Sequence, residues 1–465
     1  MATNLRPISD APPAGRIRRA ASGGLKWLTP GMRVKRWLVL IPIGLFPVIA
    51  GVMVLANVRA IDFLDEADRF LSRTLRLPLD LPVVFVPLGL GLIVLGLALI
   101  LAAFIGVNRS IVGAVAPESL GALPEVLHRR LALSQGAKIV VVGGGTGLST
   151  LLRGLKKYSS NLTAVVTMTD NGGSSGLLQK QMVGGILPPG DIRNCLVALA
   201  DAEPVMQQLF QYRFNTRDES DGLSGHSFGN LLIAAMADIT GDFERAIEET
   251  SNILNIRGRV LPTSVDTVEL VGEMADGREV TGETNIAKDD TVITRLKLCP
   301  DNPRPLPEVV DAIRQADIII LGPGSVFTSV IPNLLVKEVA RAIGASHALK
   351  VYVCNVMTQP GETGGFSASD HVQAIENHAK PFLGAKQRVF DYVLVNTARP
   401  GDDALERYHN IGAEWVTPDA DTIAARGYRA IKGTFISDTA VVRHDPDKIA
   451  RAILRLFSER PLFGK

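Results

Sequence analysis

At 465 residues the chain is long enough for a small appendage plus one large domain or two ordinary ones. With 49 basic and 47 acidic residues, a net charge of +2 and 5% aromatics, it lacks the basic surplus and the stacking residues of a nucleic-acid binder. Cys195, Cys299 and Cys354 lie far apart with no C-x-x-C pair, which excludes a disulfide framework and a zinc site and leaves three reduced thiols.

The mean hydropathy, +0.21, is high for a wholly soluble chain, and the excess sits near the N-terminus. Residues 37–58 carry no charge over 22 positions and residues 83–108 none over 26. Each run exceeds the roughly 20 residues a helix needs to cross a bilayer. Pro42, Pro47 and Pro87 are tolerated in such helices. A transmembrane hairpin over 37–108 is the expectation. The tail 1–36 holds eight basic residues against Asp10, whereas the loop 59–82 has four arginines and five acids. The positive-inside rule then places the tail in the cytoplasm, and two spans return the chain to that side. Residues 109–137 read as a connector, helical around 123–133, and residues 138–465 as a cytoplasmic domain of a cell-membrane protein.

That domain starts with a β-branched run, 138–143, expected as a buried parallel strand. It enters Gly143, Gly144, Gly145, Thr146 and Gly147, then a helix carrying Leu148, Leu151, Leu152 and Leu155 at helical spacing. Further strands are expected at 162–168, 316–321, 350–354 and 391–395, with helices between them, among them 334–343 and 369–378. Residues 268–281, with Asp276-Gly277 at the turn, read as a small β-hairpin insertion. Residues 446–457 form a closing amphipathic helix. The alternation implies an α/β fold, a Rossmann-like parallel sheet with helices on both faces.

The chemistry concentrates in glycine-rich loops after strands. The first loop lacks the lysine of a P-loop, and Leu148 stands where a dinucleotide fingerprint has its third glycine. That argues against a nicotinamide-dependent oxidoreductase. Glycines still let backbone approach a phosphate, and a helix N-terminus favours an anion. After the second strand come Asp170, near where such folds place an acid to accept from a ribose hydroxyl, then Asn171, Gly173, Ser174 and Ser175, of which Asn171, Ser174 and Ser175 can donate to phosphate or sugar. Asp191 reads as the N-cap of a helix with Arg193 and Asn194 in its first turn. His226, Ser227 and Asn230 open another helix; His226 is a general base or, by preference, a hydrogen-bonded loop histidine. Gly322, Gly324, Ser325 and Thr328 repeat the strand–glycine–helix pattern. No nucleophile and no firm metal cluster stands out, although Asp170 and Asp191 could hold magnesium together with a nucleotide.

The segments GGGTG, TDNGGSSG, PPGDIRN, GHSFGN and LGPGSVFTSVIPNLL, in this order, resemble the gluconeogenesis factor family, the YvcK-like proteins, sequence relatives of 2-phospho-L-lactate transferase (CofD-like). The resemblance covers roughly 138–460. It implies a Rossmann-like domain that binds a nucleotide diphosphate sugar, notably UDP-N-acetylglucosamine, and a role in cell shape and envelope synthesis during gluconeogenic growth. The transferase relatives imply an alternative, a transferase acting on a nucleotide-diphosphate-linked substrate with magnesium. The missing nucleophile favours a binder over an enzyme. The expected partners are the nucleotide ligand and the bilayer, no nucleic acid, with a homo-oligomer left open.

Overall fold

Apolar runs without charge have to satisfy their backbone internally, and both N-terminal runs do so as helices. The protein is described here from a computed structural model, over residues 35–55, 81–115, 123–181, 186–201, 204–214, 222–437 and 441–460. The chain divides into two compact units, Met1–Arg129 and Arg130–Lys465. In the first, α1 spans Leu40–Leu55 and α2 spans Leu81–Val115. Arg36–Leu55 and Val86–Ser110 are long and apolar enough to cross a membrane by length and composition. The two helices approach closely at glycines. A Cβ on Gly51 would stand 2.6 Å from the Gly89 carbonyl oxygen, and one on Gly44 would stand 2.8 Å from that of Gly96. Small residues at such crossings let the two backbones approach closely. The second helix runs beyond 108 to Val115, since 109–115 carries no proline and its single arginine is compatible with a helix end. The expected tail up to residue 34, the end of the first run at 56–58, and the inter-helix loop up to 80 lie outside the described residues.

A helix, α3 (Leu123–Ser134), leads to the second unit. Its centre is a seven-stranded sheet of order β10-β9-β8-β7-β1-β2-β3 in which every pairing is parallel. The strands are β1 (Ile139–Gly143), β2 (Leu162–Val166), β3 (Arg259–Pro262), β7 (Ile318–Leu321), β8 (Leu349–Val353), β9 (Tyr392–Asn396) and β10 (Arg429–Gly433). Every residue of β1, β2, β7 and β8 is buried, as expected of strands covered by helices on both faces. Two strands were not evident in the sequence. β3 is four residues with Arg at one end and Pro at the other, and β10 is a half-exposed edge strand.

Helix α4 (Gly145–Leu155) follows β1 directly. Leu148, Leu151, Leu152 and Leu155 are all 0% exposed, and burying each contributes about 1.5–3 kcal/mol. Later elements are α5 (Gly173–Gln181), α6 (Pro189–Leu199) and α7 (Phe228–Thr240). The expected hairpin is β4 (Glu269–Met274) with β5 (Glu279–Thr281), but β6 (Ile293–Cys299) joins it, so the insertion is a three-stranded antiparallel sheet of order β5-β4-β6. Between β5 and β6 lies α8 (Glu283–Lys288). The single helix expected at 334–343 is two, α9 (Ile331–Leu335) and α10 (Lys337–Ala345), because Val336 is extended (φ −72°, ψ 98°). Helix α11 covers Ala368–Ala379, and the closing helix α12 covers Pro446–Ser458. Helix α12 lies against α4 closely enough that a Cβ on Gly154 would overlap the Pro446 carbonyl oxygen.

Starting from β1, the chain moves outward through β2 to β3, then returns past β1 to β7 and moves outward through β8, β9 and β10. The winding reverses between β1 and β7. In open α/β sheets the crevice outside the carboxyl ends of the strands at that reversal is where ligands bind.

Candidate functional site

A cavity of about 380 Å³ occupies that crevice, within the usual range for small-ligand pockets. A larger concavity of about 1380 Å³ lies at the amino ends of the strands, around Asp317 and Ala348. No glycine lines it and it lies at the end of the sheet away from the carboxyl-end crevice, so the smaller cavity is the candidate site.

One wall of the crevice comes from the loop after β1. Gly144 is extended and Gly145 adopts φ +67°, the left-handed region that favours glycine. Helix α4 begins at Gly145, and its first amides have no partner inside the helix. The Gly145 amide donates to Asp191 Oδ2 at 2.7 Å. The amides of Thr146 and Gly147 receive no acceptor from the described residues outside the helix. Both residues line the cavity. A Cβ on Gly147 would overlap the Pro323 carbonyl oxygen, so this glycine allows the loops after β1 and β7 to touch.

The opposite wall is the loop after β7, with Gly324, Ser325 and Thr328 in the lining. Gly322 donates to the Val142 carbonyl at 2.9 Å and pins the two central strands. The loop after β8 contributes Asn355 and Gln359, and the segment before α12 contributes Arg443 and His444. Burial pushes His444 down to about 4, against a hydrogen bond with the Cys354 backbone, so its ring is neutral at pH 7. Arg443 is exposed. It lies near Arg153 of α4, whose pKa is lowered first by burial and then by the Arg443 charge.

Beside the β1 loop three carboxylates meet. Asp170 follows β2, Asp191 lies on α6, and Glu283 begins α8 of the insertion and lines the cavity. Glu283 hydrogen-bonds Asp170 and is pushed up to about 8, chiefly by burial and then by the charges of Asp170 and Asp191. Asp191 is pushed up to about 6 by burial first and Asp170 second. Like charges drawn together away from water hold protons or attract a cation.

The other expected residues serve to tie these loops together. Asp191 does not cap α6: Pro188 is the N-cap, Pro189 takes the first helical position, and the Asp191 carboxylate turns to Gly145 instead. Arg193 and Asn194 consequently fall in the second turn. Asn171 Oδ1 accepts the Thr284 amide at 3.0 Å and so anchors α8. Asp170 Oδ1 accepts from Gly172 at 2.9 Å. Ser175 Oγ accepts the Gly190 amide at 3.1 Å. Ser174 Oγ meets His226 Nδ1 at 3.2 Å and accepts from Asn230 Nδ2 at 3.1 Å. Ser227 caps α7 and receives a hydrogen bond from Arg193, whose second terminal nitrogen donates to Asn194 Oδ1 at 2.9 Å. His226 is 1% exposed, burial lowers its pKa, and it is a hydrogen-bonded loop histidine rather than a pocket base. Gly143 ends β1 and Gly173 opens α5 at φ +47°; neither lines the cavity, nor do Gly144, Asp170, Asn171, Ser174, Ser175, Asp191, Arg193, Asn194, His226, Ser227, Asn230 and Gly322. Glu283, Asn355, Gln359, Arg443 and His444 do, and sequence reasoning had not singled them out. One signal was available for two of the loops: Gln359-Pro-Gly-Glu-Thr-Gly-Gly365 follows β8 and Val442-Arg-His-Asp445 precedes a helix, both polar segments at element boundaries.

A parallel sheet wound in both directions from β1, with its site at the reversal, defines the doubly wound α/β class of nucleotide-type folds. Residues 139–436 match the family model described as 2-phospho-L-lactate transferase CofD. A protein from Bacillus subtilis named gluconeogenesis factor is 46% identical, covering 70% of this chain and all of its own length, and one from Halalkalibacterium halodurans is 50% identical, covering 68% and 95%. A relative from Nostoc sp. is 45% identical over 438 residues, covering 93% of this chain and 92% of its own. A crystal structure of a UPF0052 family protein from Bacillus halodurans superposes with a TM-score of 0.64 at 49% identity, covering 68% of this chain and 99% of that one. The chain belongs to the gluconeogenesis factor family of CofD-domain proteins.

Proposed function

We propose that this protein is a membrane-tethered binder of a nucleotide diphosphate sugar of the UDP-N-acetylglucosamine kind, acting in envelope synthesis and cell shape under gluconeogenic growth. The observation that carries the binding claim is the cavity at the winding reversal with the open amides of Thr146 and Gly147 at its edge. Arg443, in the cavity lining, adds positive charge. Isothermal titration of the full chain with UDP-N-acetylglucosamine, GDP and NADP tests it. Saturable binding of the UDP-sugar, without turnover on prolonged incubation, is the expected result.

A second reading, a transferase of the 2-phospho-L-lactate transferase type, draws on the family match and on the carboxylate cluster. Among the described residues no group of three or more His, Cys, Asp or Glu is arranged to hold a metal ion. Magnesium, however, takes one or two carboxylates and completes its shell with phosphate and water. Asp170 and Asp191 fit that role, with like charge and burial favouring a cation between them. Bound there, magnesium would neutralise charge on a diphosphate, while this chain's amides orient it. Release of product from a nucleotide-linked donor would establish this reading over the first.

For placement, the charge flanks put the N-terminal tail and the C-terminal unit in the cytoplasm. In right-side-out vesicles both termini are expected to resist added protease. Digestion of the C-terminal unit from outside would reverse the assignment.

A further inference from the structure

The wall formed after β7 holds a buried carboxylate with an evident structural consequence. Glu362, on the loop after β8, is 6% exposed. It accepts from Ser325 Oγ, from Thr328 Oγ1 at 3.1 Å and from Gln359 Nε2 at 2.7 Å, and also from the amides of Phe327 and Thr328. Ser325 Oγ in turn accepts the Thr328 amide at 3.1 Å and stands 2.7 Å from Thr328 Oγ1.

A hydroxyl has one hydrogen and two lone pairs. The Ser325 hydrogen goes to Glu362, and the Thr328 hydrogen goes to Glu362 or to Ser325. Gly324 exchanges both of its backbone groups with the Asn355 side chain, donating at 3.1 Å and accepting at 2.8 Å. The side-chain hydrogens of Ser325 and Thr328 and the Gly324 amide are therefore all engaged, and the Thr328 hydroxyl, in the lining, presents lone pairs to the cavity. Hydroxyls whose hydrogens are turned inward suit O–H and N–H donors and are poor partners for phosphate oxygens, which can only accept.

We propose that Glu362 is a positioning residue that sets the polarity of the Ser325 and Thr328 hydroxyls. By drawing their hydrogens inward, it makes these two hydroxyls receive the hydroxyl and amide donors of the ligand's sugar, while the phosphates sit at the open amides of the β1 side. Because this rests on the nucleotide-sugar reading above, the test compares UDP with UDP-N-acetylglucosamine on the full chain. In Glu362→Gln the side chain keeps its shape, but its amide N–H now faces a hydroxyl and turns that hydrogen toward the cavity. UDP-N-acetylglucosamine affinity is expected to fall about tenfold, the equivalent of one hydrogen bond, and UDP affinity less than about twofold. Thr328→Val, similar in volume and lacking the lone pairs, is expected to show the same loss of selectivity and keeps the test standing if Glu362→Gln folds poorly. Equal losses for both nucleotides, or no change in either variant, would overturn the role of Glu362. A wild-type chain that binds neither nucleotide would instead overturn the nucleotide reading.

Discussion

The loops after β1 and β7 are built alike and end in opposite states. Each follows a buried β-branched strand, passes through glycine and enters a helical segment. After β1 the amides of Thr146 and Gly147 stay open, because only Gly145 is taken, by Asp191. After β7 the Gly324 backbone is closed by Asn355 and the Ser325 hydroxyl by Glu362. A strand–glycine–helix pattern thus specifies a turn and a close approach. Whether the turn offers donors to a ligand is decided by partners more than thirty residues away, as Asn355 lies 31 residues from Gly324.

The sharpest way to break this pairing of loops is Gly147→Val. Its side chain would meet the Pro323 carbonyl, a backbone atom that cannot swing aside. A loss of about 3 kcal/mol or more in thermal or denaturant unfolding is expected, with binding lost as the loops separate.

Asp191→Asn changes the β1 side in the other direction. Below pH 3.8 the Asp191 carboxyl is protonated in folded and unfolded chains alike. Between there and about 6 the folded protein keeps the proton that the unfolded chain releases, so wild-type stability falls as pH rises. Glu283, raised to about 8, extends the fall to that pH. The variant is expected to unfold later than wild type at pH 7, by at most about 3 kcal/mol at 1.36 kcal/mol per pKa unit, and to match it near pH 3.5. A wild-type stability that rises between pH 4 and 8 while the variant stays flat would contradict this.

Gly145→Val separates backbone strain from steric overlap. Nothing crowds this position, since the nearest atom to a Cβ is Ser329 Oγ at 3.8 Å, but φ is +67°. The expected destabilisation is about 1–2 kcal/mol, with a larger loss in nucleotide affinity as the first turn of α4 shifts. Asn355→Ala probes the closed loop and is the mildest change. Freeing the Gly324 backbone removes two hydrogen bonds worth about 1 kcal/mol each at most, read from the melting temperature.

Much of the sheet was legible because β1, β2, β7, β8 and β9 are apolar runs bounded by turn residues. β3 and β10 were not, since a four-residue strand and an exposed edge carry too little periodicity. The glycine loops announced the β1 and β7 walls in the same way. Glu283 was hidden because its helix has only six residues inside the insertion, and topology alone brings it to Asp170. Arg443 and His444 were hidden for a related reason, lying near the end of the chain and reaching the site only when α12 docks on α4. Ser174, Ser175 and Asn171 looked like ligand donors because a polar loop reads the same whether it faces solvent or stitches its neighbours. Their partners Gly190, His226 and Thr284 lie 15, 52 and 113 residues away in sequence.

The central claim is that phosphates bind at the open amides of the β1 side. Thr146→Pro tests it most directly. Proline is tolerated in the first turn of a helix and removes one amide donor. The helix itself is kept: the Ser149 and Thr150 hydroxyls still reach the Thr146 carbonyl at 2.9 Å. Isothermal titration of the full chain with UDP-N-acetylglucosamine and UDP is expected to show roughly tenfold or greater loss of affinity for both, with the melting temperature unchanged. Wild-type affinity for both nucleotides in the folded variant would contradict the account.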